Sequence, residues 1–204
     1  MIKRVILGSM QVNCYIVYND KNECIVIDPG ANGQKLVRFI DDNEFSLKAI
    51  LITHGHYDHI GAVDYLYEKY HCDIYTHYET MKLLRDEKLN LSAMFGEPCT
   101  IKSPIHEAKE KMDLIGYHID WMLLEGHCLG SSMIYIPEEN ALFSGDVLFA
   151  GSIGRYDFPT SSHLETKKTL EKIKQFEFDA VVYPGHGEAT QLSIEQKNNP
   201  FLKS

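Results

Sequence analysis

A single domain of the α/β or α+β class, spanning residues 1–204, is expected from three features of this chain. It has 204 residues and a 44% hydrophobic content, enough to build one substantial core. Apolar runs of strand length recur from the first residues to the last quarter. Between them lie segments whose apolar residues return at helical spacing. There is no internal repeat, low-complexity tract or linker-like stretch.

The elements follow in order. Ile2 to Leu7, Cys14 to Tyr18 and Cys24 to Ile27 read as strands, with a turn at Asp20-Lys21-Asn22 between the last two. Asp28-Pro29-Gly30 ends this β start, and Leu36, Phe39 and Ile40 then mark a helix. Ala49 to Ile52 is a short buried strand that stops at Thr53-His54. Val63, Leu66, Tyr67 and Tyr70 sit at i, i+3, i+4 and i+7, the spacing of an amphipathic helix. A strand near Ile74-Tyr75 and a helix around Thr80 to Lys88 come next. Phe95 to Lys111, with Gly96, Pro98 and Pro104, is irregular and is a candidate cover for something beneath it. Strands return at Leu114 to Leu124, Met133 to Ile136, Ala141 to Phe143 and Ala180 to Tyr183. A last helix spans roughly Ser162 to Phe176, with Ser161 or Ser162 as its N-cap.

Composition excludes several classes of function. With 20 basic against 29 acidic residues, a net charge of −9 and no basic block, the chain lacks the cationic footprint of nucleic-acid binding. No apolar run approaches the roughly 20 residues that cross a bilayer, so no membrane association is expected. The apolar start is interrupted by Gly8, Ser9, Gln11 and Asn13 and does not read as a signal peptide. The five cysteines are widely spaced, without a Cys-x-x-Cys, and read as reduced thiols in a cytoplasmic protein.

The chemistry concentrates in His54-Gly55-His56-Tyr57-Asp58-His59, where a strand stops and a helix begins. Side chains at i, i+2, i+4 and i+5 cannot share one face of a helix or strand, whereas a loop can turn them inward together. Imidazole and carboxylate are the donors that Zn²⁺, Mn²⁺ or Fe²⁺ takes. Three later segments repeat one grammar of strand, glycine and donor: Gly126-His127, Gly145-Asp146 and Gly185-His186. Together they supply His54, His56, His59, His127 and His186 with Asp58 and Asp146, enough for two metal ions.

These segments resemble the metallo-β-lactamase superfamily, in particular the short glyoxalase II-like hydrolases. The resemblance rests on Asp28-Pro29-Gly30, Thr53 to Gly61, Gly126-His127, Phe143 to Asp146, Gly154 to Asp157, Tyr183 to Gly187 and Asn199 to Leu202, in the family's order. It implies a four-layer αββα sandwich with a dinuclear site at one edge of two sheets. It further implies that His54, His56 and His127 hold one metal, Asp58, His59 and His186 the other, and that Asp146 bridges them. The metals are two divalent ions, zinc first, with iron or manganese as alternatives. Asp146 in the bridging position speaks for the hydrolase branch rather than the lactamases.

The activity implied is hydrolysis of a small-molecule thioester such as S-lactoylglutathione, by a metal-bridging hydroxide that Asp58 orients. Two alternatives stay open: a mononuclear iron persulfide dioxygenase, and a non-catalytic metal-binding member. Two motifs depart from the family pattern. Leu124-Glu125-Gly126-His127-Cys128 brings a charge and a thiol to the third histidine, and Gly154-Arg155-Tyr156-Asp157 places a tyrosine after the arginine. Arg155 either pairs with Asp157 or meets a substrate carboxylate. Tyr156 and Tyr57 are candidate pocket residues.

Overall fold

The computed structural model describes residues 1–203. The first sheet has six strands in sequential order: β1 (Ile2–Leu7), β2 (Val12–Tyr18), β3 (Glu23–Ile27), β4 (Ser46–Ile52), β5 (Asp73–Thr76) and β6 (His106–Glu107). Neighbours are antiparallel from β1 to β3 and parallel from β3 to β6. Parallel neighbours need crossovers, and these carry α1 (Gly33–Asp42), α2 (Tyr57–Ile60), α3 (Val63–Tyr70), α4 (Thr80–Leu84) and α5 (Ser92–Phe95). The second sheet is built from β7 (Lys111–Leu114), β8 (Tyr117–Leu123), β9 (Ser132–Ile136) and β10 (Ala141–Gly145). The small hairpin β11 (Leu148–Phe149) and β12 (Ser152–Ile153) and helix α6 (His163–Lys174) follow. Then β13 (Val181–Pro184) and β14 (Thr190–Gln191) complete that sheet in the order β14-β13-β10-β9-β8-β7, and α7 (Leu192–Asn198) closes the chain.

Strand alternation sorts the apolar residues into three clusters, which define four layers. Val12, Cys14 and Ile16 of β2, with Val26 and Ile50, pack under Leu36, Ile40, Val63 and Leu66 of α1 and α3. The intervening Tyr15, Val17, Ile25, Ile27 and Leu51 meet Ile134, Ile136, Ala141 and Phe143 between the two sheets. Met133, Leu142 and Val182 face outward against Ile173 of α6 and Leu192 of α7. The central strands therefore read as continuous apolar runs, because both of their faces are buried. This is the αββα sandwich expected from the sequence. Among the described residues, no helix is long and apolar enough to cross a membrane.

Several local expectations are corrected. The strand expected over Leu114 to Leu124 is two strands, with a tight turn at Ile115-Gly116 where both residues take positive φ (50° and 85°). That geometry suits a two-residue hairpin, but a β-branched residue rarely adopts it, so Ile115 conceals the turn. Here Asn19 Nδ2 donates to the Ile115 carbonyl at 2.8 Å and holds the conformation. The helix expected to reach Lys88 stops at Leu84. Beyond it, Asp86 Oδ1 accepts from the backbone N–H of Lys88 (2.8 Å) and Leu89 (3.2 Å), a local turn that competes with the helix. The C-terminal β14 and α7 had no clear periodic signal. Ser162 is the N-cap of α6, accepting from Glu165 N at 3.2 Å.

Candidate metal centre

All of the donor segments leave the C-terminal ends of strands. His54 and His56 lie just beyond β4, and His56 occupies the N-cap position of the one-turn helix α2, which carries Asp58 and His59. His127 follows β8, Asp146 follows β10, and His186 follows β13. Backbone and side-chain bonds stitch the two sheets together at this edge. Asn13 N donates to Gly185 O at 2.7 Å, Tyr15 Oη to Pro184 O at 2.7 Å, and Ser132 N to Thr53 O at 3.0 Å. Gly185 is required by space, since a Cβ there would strike Asp146 Oδ1 and would lie 2.6 Å from His59 Cε1.

The side chains converge into two adjoining groups. One donor atom from each of His54, His56 and His127 lies within 4.8 Å of the others, and the same holds for Asp58, His59 and His186. Asp146 reaches both: Oδ1 is 3.4 Å from His59 Nε2, and Oδ2 is 3.7 Å from His127 Nε2 and 3.6 Å from His186 Nε2. His56 Nδ1 faces His127 Nε2 at 2.9 Å, and His186 Nε2 lies 3.2 Å from Asp58 Oδ2.

The hydrogen bonds behind the rings decide which nitrogens face inward. His127 Nδ1–H donates to Arg155 O at 2.7 Å, leaving Nε2 as a lone pair. The Thr53 hydroxyl is 2.6 Å from Asp28 Oδ2, an acceptor only, so its proton goes there. Its oxygen then accepts from His54 Nδ1–H at 3.1 Å, and His54 Nε2 is left as a lone pair. Asp28 Oδ2 also accepts from His59 Nδ1 at 3.0 Å, and Asp28 Oδ1 from Thr53 N at 2.8 Å. Asp28, 2% exposed, therefore orients His59 and, through Thr53, His54. The sequence marked Asp28 only as part of a motif. Its left-handed backbone (φ 51°) is a conformation that Asp adopts more readily than most residues.

The fit to metal is visible in what is left unpaired. His54 Nε2, His56 Nε2 and Asp146 Oδ1 are buried polar atoms without a hydrogen-bond partner. An uncompensated buried acceptor costs free energy, and a cation at the centre of these donors removes that cost for His54 and Asp146. Burial, reinforced by neighbouring imidazoles, lowers the pKa of His54, His56 (to about 3) and His127, which keeps them in the neutral form that binds metal. Burial alone would raise Asp146, but the charge of His59 and its hydrogen bond outweigh it and hold the carboxyl well below the usual range. Burial opposes charge on His59 and His186 too, yet Asp146 and Asp58 raise both. The carboxylates thus demand positive charge at the centre.

The centre opens into a half-open cleft of about 480 Å³ walled by Met10, Leu91, Phe95, Phe149 and Phe158. Tyr57 lines it, as the sequence suggested, and its ring contacts Gly96. The Phe95 to Lys111 segment covers the site only through Phe95. Further on, Lys102 N, Ser103 N and Ser103 Oγ are tied to Asp64. Arg155 reaches the cleft with its guanidinium already paired to Asp157, Nε to Oδ1 and Nη2 to Oδ2, both at 2.9 Å. Tyr156 lies elsewhere. Its ring stands 4.4 Å from His163 and packs with the outer cluster under α6, outside the cleft lining. The ring contact with His163 and the outer cluster hold Tyr156 under α6, while Arg155 is turned toward the cleft. Cys128 is buried, its Sγ 3.1 Å from Ser131 Oγ, and burial pushes its thiol up to about 12.

Residues 7–186 match the model of the metallo-β-lactamase superfamily. The chain belongs to that superfamily. It is 31% identical to hydroxyacylglutathione hydrolase GloC of Haemophilus influenzae, across 100% of this chain and 98% of that protein. The crystal structure of the BLEG-1 B3 metallo-β-lactamase superposes with a TM-score of 0.94 at 34% identity, covering both chains completely. A di-iron-bound form of TTHA1623 superposes with a TM-score of 0.88 at 34% identity, over 98% of this chain and 99% of that one. A lactamase and a di-iron protein thus share this fold at equal identity. Fold alone does not separate the superfamily's branches, with or without an aspartate at position 146.

Proposed function

We propose that this chain is a dinuclear metallohydrolase that cleaves a thioester of the acyl-thiol class to which S-lactoylglutathione belongs. The observation that carries this reading is the pair of three-donor groups joined by one carboxylate at the floor of a cleft. His54, His56 and His127 would hold one ion, Asp58, His59 and His186 the other, and Asp146 both. With only nitrogen and oxygen donors, the set suits zinc, iron or manganese, and zinc is the first choice. Two bound dications supply an acidified water and polarisation of the scissile carbonyl. The likeness to GloC supports a thioester as the substrate, and the di-iron form of TTHA1623 supports a pair of ions.

The chain's own residues then have defined tasks. Burial opposes ionisation of Asp58, but the charge of His59 and the hydrogen bond from His186 overcome it, so its carboxylate is ionised at neutral pH. An ionised carboxylate beside the attacking water is placed to accept its proton and orient it. A thiol leaves with a pKa near about 8.5, so no strong general acid is required. The buried thiol of Cys128, pushed up to about 12, is no nucleophile, which favours direct attack by water over an acyl-enzyme.

The test is elemental analysis of the purified protein together with thioester hydrolysis. Two metal equivalents per chain, with turnover abolished in Asp146→Ala, is the expected result. One equivalent of iron with no thioester turnover overturns the proposal and leads to an oxygen-consumption assay with glutathione persulfide. Turnover of the chromogenic cephalosporin nitrocefin above that of any thioester would transfer the chain to the lactamase branch.

A further inference from the structure

Two walls rise from the donor groups, and both are apolar. Phe158 stands edge-on to His56 (5.5 Å between ring centroids) and His127 (6.1 Å), and Phe95 lies against it at 6.1 Å. On the other side Phe149 is edge-on to His186 at 6.3 Å, and the carbonyl of Met10 is 3.1 Å from His186 Nδ1. Phe95 and Met10 are 55% and 52% exposed, large apolar side chains left in water at the rim of one cleft. Scattered apolar residues on a surface are ordinary, but a contiguous set around a reactive centre marks where an apolar group docks.

The charges give the complementary signal. Apart from the donor residues, Arg155 is the one charged side chain lining the cleft among the described residues. Both arms of its fork are on Asp157, and its guanidinium carbon lies 4.5 Å over the Phe158 ring. The pair therefore presents a neutralised, ring-backed surface. A glutathione thioester brings two carboxylates, and recognising them takes unpaired guanidinium or ammonium groups. The cleft offers apolar area instead.

We infer that the cleft selects thioesters by an uncharged apolar acyl chain, and that Phe95 and Phe158 are the specificity-determining residues. This rests on the thioester hydrolase reading above. The kinship with glutathione thioesters is then one of reaction rather than of carrier: the acyl chain lies between the Phe158 and Phe149 walls, and the thiol carrier contributes little recognition.

The test uses the metal-loaded protein and thioesters of one uncharged thiol, N-acetylcysteamine, from acetyl to octanoyl, beside S-lactoylglutathione. Each methylene taken out of water should raise kcat/KM about two- to fourfold, so octanoyl should exceed acetyl by at least about fiftyfold. S-lactoylglutathione should fall below octanoyl. Phe95→Ala and Phe158→Ala should each reduce the octanoyl-to-acetyl ratio by at least about fivefold, and Phe95, being half exposed, can be truncated with little demand on folding. As a readout free of turnover, calorimetry with the S-octyl and S-methyl thioethers of the same thiol should show at least about tenfold tighter binding of the octyl compound. A flat or falling chain-length series, S-lactoylglutathione as the best substrate, or equal binding of the two thioethers overturns the inference while leaving the hydrolase intact. Tighter octyl binding with no turnover of any thioester overturns the hydrolase reading and keeps the apolar site.

Discussion

Replacing Asp28 by Asn removes one charge from behind the metal centre and leaves the backbone undisturbed, because Asn tolerates the left-handed φ of 51° as Asp does. Asp28 accepts three hydrogen bonds: from Thr53 N at 2.8 Å, Thr53 Oγ1 at 2.6 Å and His59 Nδ1 at 3.0 Å. An amide has one acceptor oxygen and so meets a donor with a donor on one side, whichever way it flips. If the NH₂ faces His59, the imidazole proton must move to Nε2, and the lone pair aimed at Asp146 and His186 is lost. If it faces Thr53 N, a buried backbone donor goes unpaired, at a cost of about 1–3 kcal/mol. Partners behind metal-binding histidines are worth about 10- to 100-fold in metal affinity, or roughly 1.4–2.7 kcal/mol. The expected result for Asp28→Asn is therefore zinc binding weakened by that factor in competition with a chromophoric chelator. The far-UV circular dichroism spectrum should be unchanged. Undiminished zinc affinity in this variant would refute the assignment of Asp28 as the group that orients His59.

Other consequences are open to simple measurement. Gly185→Ala drives a methyl group into Asp146 Oδ1 and His59 Cε1, and should lower metal content and turnover at least about tenfold while the protein stays folded in urea titration. Asn199 is fully buried, donating to Ser152 O at 3.0 Å and to Glu195 Oε2 at 2.8 Å, and accepting from Phe201 N at 3.0 Å. Asn199→Ala should cost about 2–3 kcal/mol in denaturant unfolding, since it leaves buried partners unsatisfied and frees the β11–β12 hairpin beside the cleft. The raised thiol of Cys128 predicts that its alkylation stays slow throughout pH 7 to 9, because the thiolate is a minor form over that whole range and the rate climbs without levelling. An ordinary thiol, with a pKa of about 8.5, reacts fast and levels off toward pH 9, so a plateau of that kind in the folded protein, or a rate within about tenfold of a free thiol's, read by peptide mass spectrometry, would contradict the burial of Cys128.

How much was legible in the sequence follows from the range of each interaction. The strands and the long helices announced themselves because alternation and helical spacing are local, and burial on both faces made β2, β3, β4 and β10 continuous apolar runs. The donor residues were legible because each stands beside a glycine or within one short cluster at the end of a strand. Turns set by side chains were not legible: Ile115 hides a hairpin that Asn19 holds from a distant loop, and Asp86 ends α4 early through its own carboxylate. The role of Asp28 required knowing that His59, across 31 positions of sequence, returns to its carboxylate. The direction of Tyr156 and the apolar walls of the cleft also needed the fold, since Met10, Phe95, Phe149 and Phe158 come from two loops, a helix end and a strand end, and no local pattern links them. The sequence by itself determined which chemistry the chain can carry, because donor identity is covalent. Which nitrogens face inward, what lies behind them and what surrounds them are long-range properties, and only the packing of the two sheets decided those.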